Sequence, residues 1–102
     1  MALVQVSIVP LGTKTTSISR YVARALKVLQ AHKEVKYKLT PMGTVLEGDL
    51  DKVLSVVRKM HEKAFDKDVR RVLTTVTIDD RRDKEATMES KVKSVEGKLR
   101  RS

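Results

Sequence analysis

Cysteine is absent from this 102-residue chain. That excludes disulfides, thiolate metal sites and cysteine nucleophiles. Tryptophan is also missing, and aromatics amount to 3% of residues: Tyr21, Tyr37 and Phe65. The core must therefore be built from Val, Leu, Ile and Met. No apolar run approaches the roughly 20 residues of a membrane span. The first residues carry no basic, apolar, small-residue leader, so a cytoplasmic location is expected. Neither GxGxxG nor GxxxxGK[ST] occurs, so the glycines form no common phosphate loop.

What is present points to a folded protein. Hydrophobic residues make up 40% and charged residues 34%, and the length suits one domain with a modest core. Residues 1–102 are read as one unit, with 81–102 as a charged exit and a C-terminal helix. The net charge is +9, of which +4 falls in that last segment, with its eight basic and four acidic residues. Such an excess raises the question of an anionic partner. The basic residues are interleaved with acids, however, which reads first as a solvated surface.

Periodicity then divides the chain. Val4, Val6 and Ile8 alternate with Gln5 and Ser7 in a first strand. Ser17 or Ser19 is suited to cap a helix running to about Lys33, with Ile18, Val22, Ala25, Leu26 and Leu29 on its apolar stripe. Val35, Tyr37 and Leu39 alternate with lysines in a second strand. Pro41-Met42-Gly43 reverses the chain, since Pro41 cannot donate a ladder hydrogen bond and Gly43 can take φ > 0. Thr44 to Gly48 forms a third strand carrying one acid, Glu47, which is costly to bury without a partner.

Asp49 or Asp51 caps the next helix, with a stripe of Leu50, Val53, Leu54, Val57, Met60, Ala64 and Phe65. Arg71 to Ile78 makes a fourth strand. Asp79 to Asp83 reads as a charged exit whose acids and arginines pair with one another. A last helix is expected over about Glu85 to Leu99, with a narrow stripe of Met88, Val92, Val95 and Leu99.

The order β-α-β-β-α-β plus one helix predicts an α+β, ferredoxin-like antiparallel sheet with strand order 4, 1, 3, 2 and both crossover helices on one face. The second face should carry Gln5, Ser7, Lys36, Lys38, Val45, Glu47, Leu73, Thr75 and Thr77, with Glu47 beside Gln5 and Ser7. A half-apolar open face calls for cover, and a second subunit is the expected cover.

Five stretches carry a resemblance: Pro10-Leu11-Gly12-Thr13, Ser17 to Ala23, Leu39 to Gly48, Ile78 to Lys84 and Lys93-Ser94-Val95-Glu96. Together they resemble the thiamine-binding protein family, ferredoxin-like proteins related to the YkoF-type thiamine/hydroxymethylpyrimidine binders. The Pro-Met-Gly-Thr…Glu-Gly pattern is the most specific part. The resemblance implies a cytoplasmic, non-enzymatic protein and a tetramer, built from dimers whose sheets pack together. It also implies a pocket for thiamine or its pyrimidine precursor.

Residue chemistry is compatible with that ligand. A carboxylate such as Glu47 can accept from an aminopyrimidine amino group. Ser7, Thr44 and Ser19 could add hydroxyl contacts, and Met42 could pack on the ring face. The competing reading pairs Glu47 with Lys36, Lys38 or a subunit partner.

Other chemistry is weaker. His61-Glu62 begins an HExxH pattern, but Phe65 occupies the second histidine's place. His32 stands alone near a helix end, so no metal or cofactor is expected. No nucleophile–base or paired-carboxylate arrangement stands out, so no enzyme is expected. Two alternatives to ligand binding follow. One is a regulatory or assembly module with another small ligand. The other is an RNA-binding module, against which stands the lack of any aromatic in the two central strands.

Overall fold

The computed structural model describes residues 1–12, 19–83 and 87–101. In chain order the elements are β1 (Ala2–Leu11), α1 (Ser19–Ala31), β2 (Lys36–Thr40), β3 (Gly43–Gly48), α2 (Leu50–Lys63), β4 (Arg71–Asp80) and α3 (Met88–Arg101). The four strands form one antiparallel sheet in the order β2-β3-β1-β4. This is the ferredoxin-like α+β arrangement read from the sequence, with an added C-terminal helix.

Alternation decides which residues are buried. Ala2, Val4 and Val6 of β1 and Leu46 of β3 face Leu29 of α1 and Val53, Val56, Val57 and Met60 of α2. Each side chain removed from water there contributes roughly 1.5–3 kcal/mol. Val56 of α2 is buried while Leu54 and Phe65, both assigned to the stripe, are exposed, Phe65 lying just beyond the helix end at Lys63. The cluster lies between α2 and the central strands, so the buried arc follows 53-56-57-60 and leaves those two at its margins. Tyr21, not singled out in the sequence, is buried at the start of α1. Val76 and Ile78 pair with Val6 and Val4 and so share the core face, yet stay 38% and 45% exposed because β4 is an edge strand.

Element ends differ from expectation where local hydrogen bonds decide. Asp49 caps α2, its side chain accepting from the Lys52 amide at 3.4 Å. α1 ends at Ala31, two residues early, where the chain turns through a Val35 N–H to His32 carbonyl bond of 3.2 Å. β4 continues through Asp79 and Asp80, because β1 still offers Leu3 and Ala2 as partners. The charges beyond it pair as expected, Arg81 with Asp83 at 2.6 Å and Arg82 with Asp80 at 3.0 Å.

α3 begins at Met88 behind a cap missed in the sequence. Thr87 Oγ1 accepts from the Ser90 amide at 3.0 Å, and Ser90 Oγ accepts from the Thr87 amide at 2.9 Å. This reciprocal pair is the capping-box arrangement with serine in place of glutamate. α3 has sparse contact with the rest of the fold. The radius of gyration is accordingly 15.4 Å, against about 13 Å for a compact chain of this size.

Candidate functional site

β3, an inner strand, delivers Glu47 to the face opposite the two crossover helices, close to one end of the sheet, in the row of Lys36, Leu3 and Asp79. Its register neighbours are Leu3 on β1 and Lys36 on β2, not the expected Gln5 and Ser7. The β1–β3 ladder pairs Ala2 with Gly48 and Leu3 with Glu47, so Gln5 falls opposite Val45, one open-face position short of Glu47. Ser7 lies four residues from Leu3, about 13 Å along the strand.

Glu47 is 5% exposed, and its Oε1 is buried without any hydrogen-bond partner. Among the described residues it forms no ion pair either. The structural pairing with Lys36 or Lys38 is therefore not made within the chain. A buried carboxyl oxygen left in this state costs about 1–3 kcal/mol relative to a satisfied one.

A groove of about 990 Å³ opens beside it, between the open sheet face and α3. This is at the upper end of the range for small-molecule sites. Leu3, Val45 and Glu47 form its floor, with Lys36 and Lys38 along the β2 side. Met88, Val92 and Glu96 of α3 form the opposite wall. Lys91 on the same helix is ion-paired with Asp79 at the end of β4, which ties α3 to the sheet.

Of the five residues singled out as ligand contacts, Glu47 alone lines this groove. Thr44 is buried on the helix-covered face, where its register partners are Val6 and Leu39. Met42 is 79% exposed at the tip of the β2–β3 turn, at the other end of β3. Ser7 is on the open face opposite Thr75. Ser19 opens α1; its side chain, like Ser17 as a whole, lies outside what the structure describes. The α3 wall was missed, although Met88 and Val92 stand one helical turn apart and so share a face.

The site offers one buried, unpartnered hydrogen-bond acceptor beside an apolar floor and a cationic rim. That suits a flat ligand with an N–H donor. His61 bonds Thr74 Oγ1 at 2.6 Å on the other side of the sheet and takes no part. Among the described residues no group of three His, Asp or Glu could hold a metal ion, and no helix is long and apolar enough to cross a membrane.

Comparison with known proteins agrees with this architecture. The UPF0045 protein YqgV of Bacillus subtilis is 49% identical over 98 residues, 93% of this chain and 94% of its own. The crystal structure of MJ1052 from Methanocaldococcus jannaschii has a TM-score of 0.83 at 41% identity, covering 92% of this chain and 94% of that one. A Thermotoga maritima structure with a TM-score of 0.74 shares the fold at 20% identity, over 92% of this chain and 97% of its own. A family model described as thiamine-binding protein matches residues 4–96, nearly the whole chain, and the chain belongs to that family.

Proposed function

We propose that this protein is a non-enzymatic binding protein for thiamine or its hydroxymethylpyrimidine precursor, with the ligand in the groove beneath α3. The observation that carries the reading is the unpartnered, buried Oε1 of Glu47, a residue that lines that groove. An aminopyrimidine amino group supplies the donor this oxygen lacks, and the ring lies on Leu3 and Val45. Family membership supports the same ligand class. The Thermotoga maritima fold neighbour is itself named as a candidate thiamine biosynthesis/salvage protein.

The proposal includes a homo-oligomer, a dimer of dimers in which open sheet faces cover one another. Exposed Leu73 on that face and exposed Val92 and Val95 on α3 support it. RNA binding is the weaker reading, because β1 and β3 carry no aromatic to stack a base.

Calorimetry with thiamine and with hydroxymethylpyrimidine, on wild type and Glu47→Gln, tests the reading. Saturable heat is expected with the wild type, weakened about tenfold or more by the substitution. Absence of heat with both ligands removes the proposal.

A further inference from the structure

A second hollow, of about 670 Å³, lies on the outer surface of the helical layer, across the sheet from Glu47. Its charged lining is Arg24, Lys27, His32, Lys59, Lys63 and Asp66. Asp66, the one acid among them, is already engaged by Arg24 at 3.0 Å and by Arg20 at 3.8 Å. Lys27 and Lys63 have no carboxylate partner among the described residues. Lys59 lies 3.3 Å from His32 Nε2, and His32 Nδ1 lies 3.2 Å from Glu34. An ammonium can only donate, so in this arrangement Nε2 accepts and Nδ1–H points to Glu34. The hollow thus gathers three lysines, none of them ion-paired with a carboxylate among the described residues, an arrangement that favours an anion.

The apolar part of the lining is as specific as the charged part. Val28 and Ala31 contribute aliphatic surface, and the chain's one phenylalanine, Phe65, lies 38% exposed beside them. Phe65 is not loose. His61 meets its ring edge-on at 5.2 Å, and His61 is itself held by Thr74. Arg24 is likewise fixed, between Asp66 and the Tyr21 ring at 5.3 Å. A positioned aromatic face amid ammonium groups that no carboxylate pairs matches a ligand that is flat at one end and polyanionic at the other.

We propose that the hollow between the C-terminal half of α1 and the end of α2 binds a nucleoside polyphosphate, with Lys27, Lys59 and Lys63 on the phosphates and Phe65 against the base. Its volume suits one nucleotide. The site is independent of the Glu47 groove, so the two assignments stand or fall separately.

The test is calorimetry with ATP and with inorganic pyrophosphate on wild type, on the double variant Lys59→Met/Lys63→Met and on Phe65→Leu. Saturable ATP binding is expected for the wild type. The double variant should weaken both ligands about tenfold or more. Phe65→Leu should weaken ATP about fivefold and leave pyrophosphate unchanged. Among the described residues Lys63 makes no ion pair and Lys59 makes only the exposed contact with His32, so that variant reports on binding even if Phe65→Leu unfolds. No ATP binding up to about 1 mM overturns the proposal, as does ATP binding that the double variant leaves intact. A single-stranded RNA oligomer that displaces ATP and binds with a steep salt dependence also overturns it, in favour of a nucleic-acid surface.

Discussion

Lys36 stands directly opposite Glu47 in the β2–β3 register, yet no ion pair joins them. β2 is an edge strand and Lys36 is exposed, so its ammonium keeps its water. Glu47 lies one strand further in and is buried. The energetic consequence is testable without any ligand. Glu47→Leu removes an unsatisfied buried carboxyl and fills the same space with apolar atoms. The unliganded protein should gain about 1–2 kcal/mol, seen as a melting temperature higher by several degrees. A loss of stability instead would mean that the native assembly supplies the acid with a partner.

Gly43 allows the turn that starts β3. Its φ is +149°, and a Cβ there would stand 2.7 Å from the Val6 carbonyl oxygen. Thr40 Oγ1 completes the turn, donating to the Gly43 carbonyl at 2.8 Å and accepting from the Met42 amide at 3.3 Å. Backbone cannot withdraw as a flexible side chain can. Gly43→Ala is expected to cost about 2 kcal/mol, measured by urea unfolding.

Asp66 links α1 to the loop after α2. The Asp68 amide and the Arg24 guanidinium, helped by the Val69 amide, hold its carboxyl below the usual carboxylate range and together outweigh the opposing effect of desolvation. A depressed folded value stabilises above the unfolded one. The contribution is therefore complete above about pH 4 and fades as pH falls through the folded value. Asp66→Asn should flatten the acid limb of the stability curve below pH about 4, followed by urea midpoints. An unchanged acid limb would show that these bonds are not maintained in solution.

The strand order was legible because alternation in β1 and β3 and helical spacing in α2 each give one reading. Leu46 and Val4, both fully buried, fall where the period-2 pattern puts them. Glu47 was conspicuous because one acid sits in a strand of Thr, Val and Leu. Its neighbours were not legible, since a strand's pattern fixes which face a residue takes but not the register along its partner. The second wall of the groove was hidden for a different reason. Met88 and Val92 sit on a helix whose pattern is too weak to say what it packs on. Thr87 and Ser90 were overlooked because serine at the third helical position satisfies the cap less familiarly than glutamate.

α3 itself supplies the last expectation. Val92 and Val95 are 52% and 59% exposed, and the helix of 14 residues has sparse contact with its own fold. A helix of that length is marginal alone in water, even with a good cap. Its stripe needs cover, and in the proposed assembly a second copy provides it. Light scattering at micromolar concentration should then give a multiple of the chain's 11.5 kDa, and Val92→Lys/Val95→Lys should reduce it toward the monomer. The same variant should lose helical circular dichroism, because α3 would frays without its neighbour's surface. If the wild type is a monomer that keeps α3 fully helical, neither the oligomer nor a groove completed by it can be maintained. Glu47 would then have to bind any ligand with the surfaces of one chain alone.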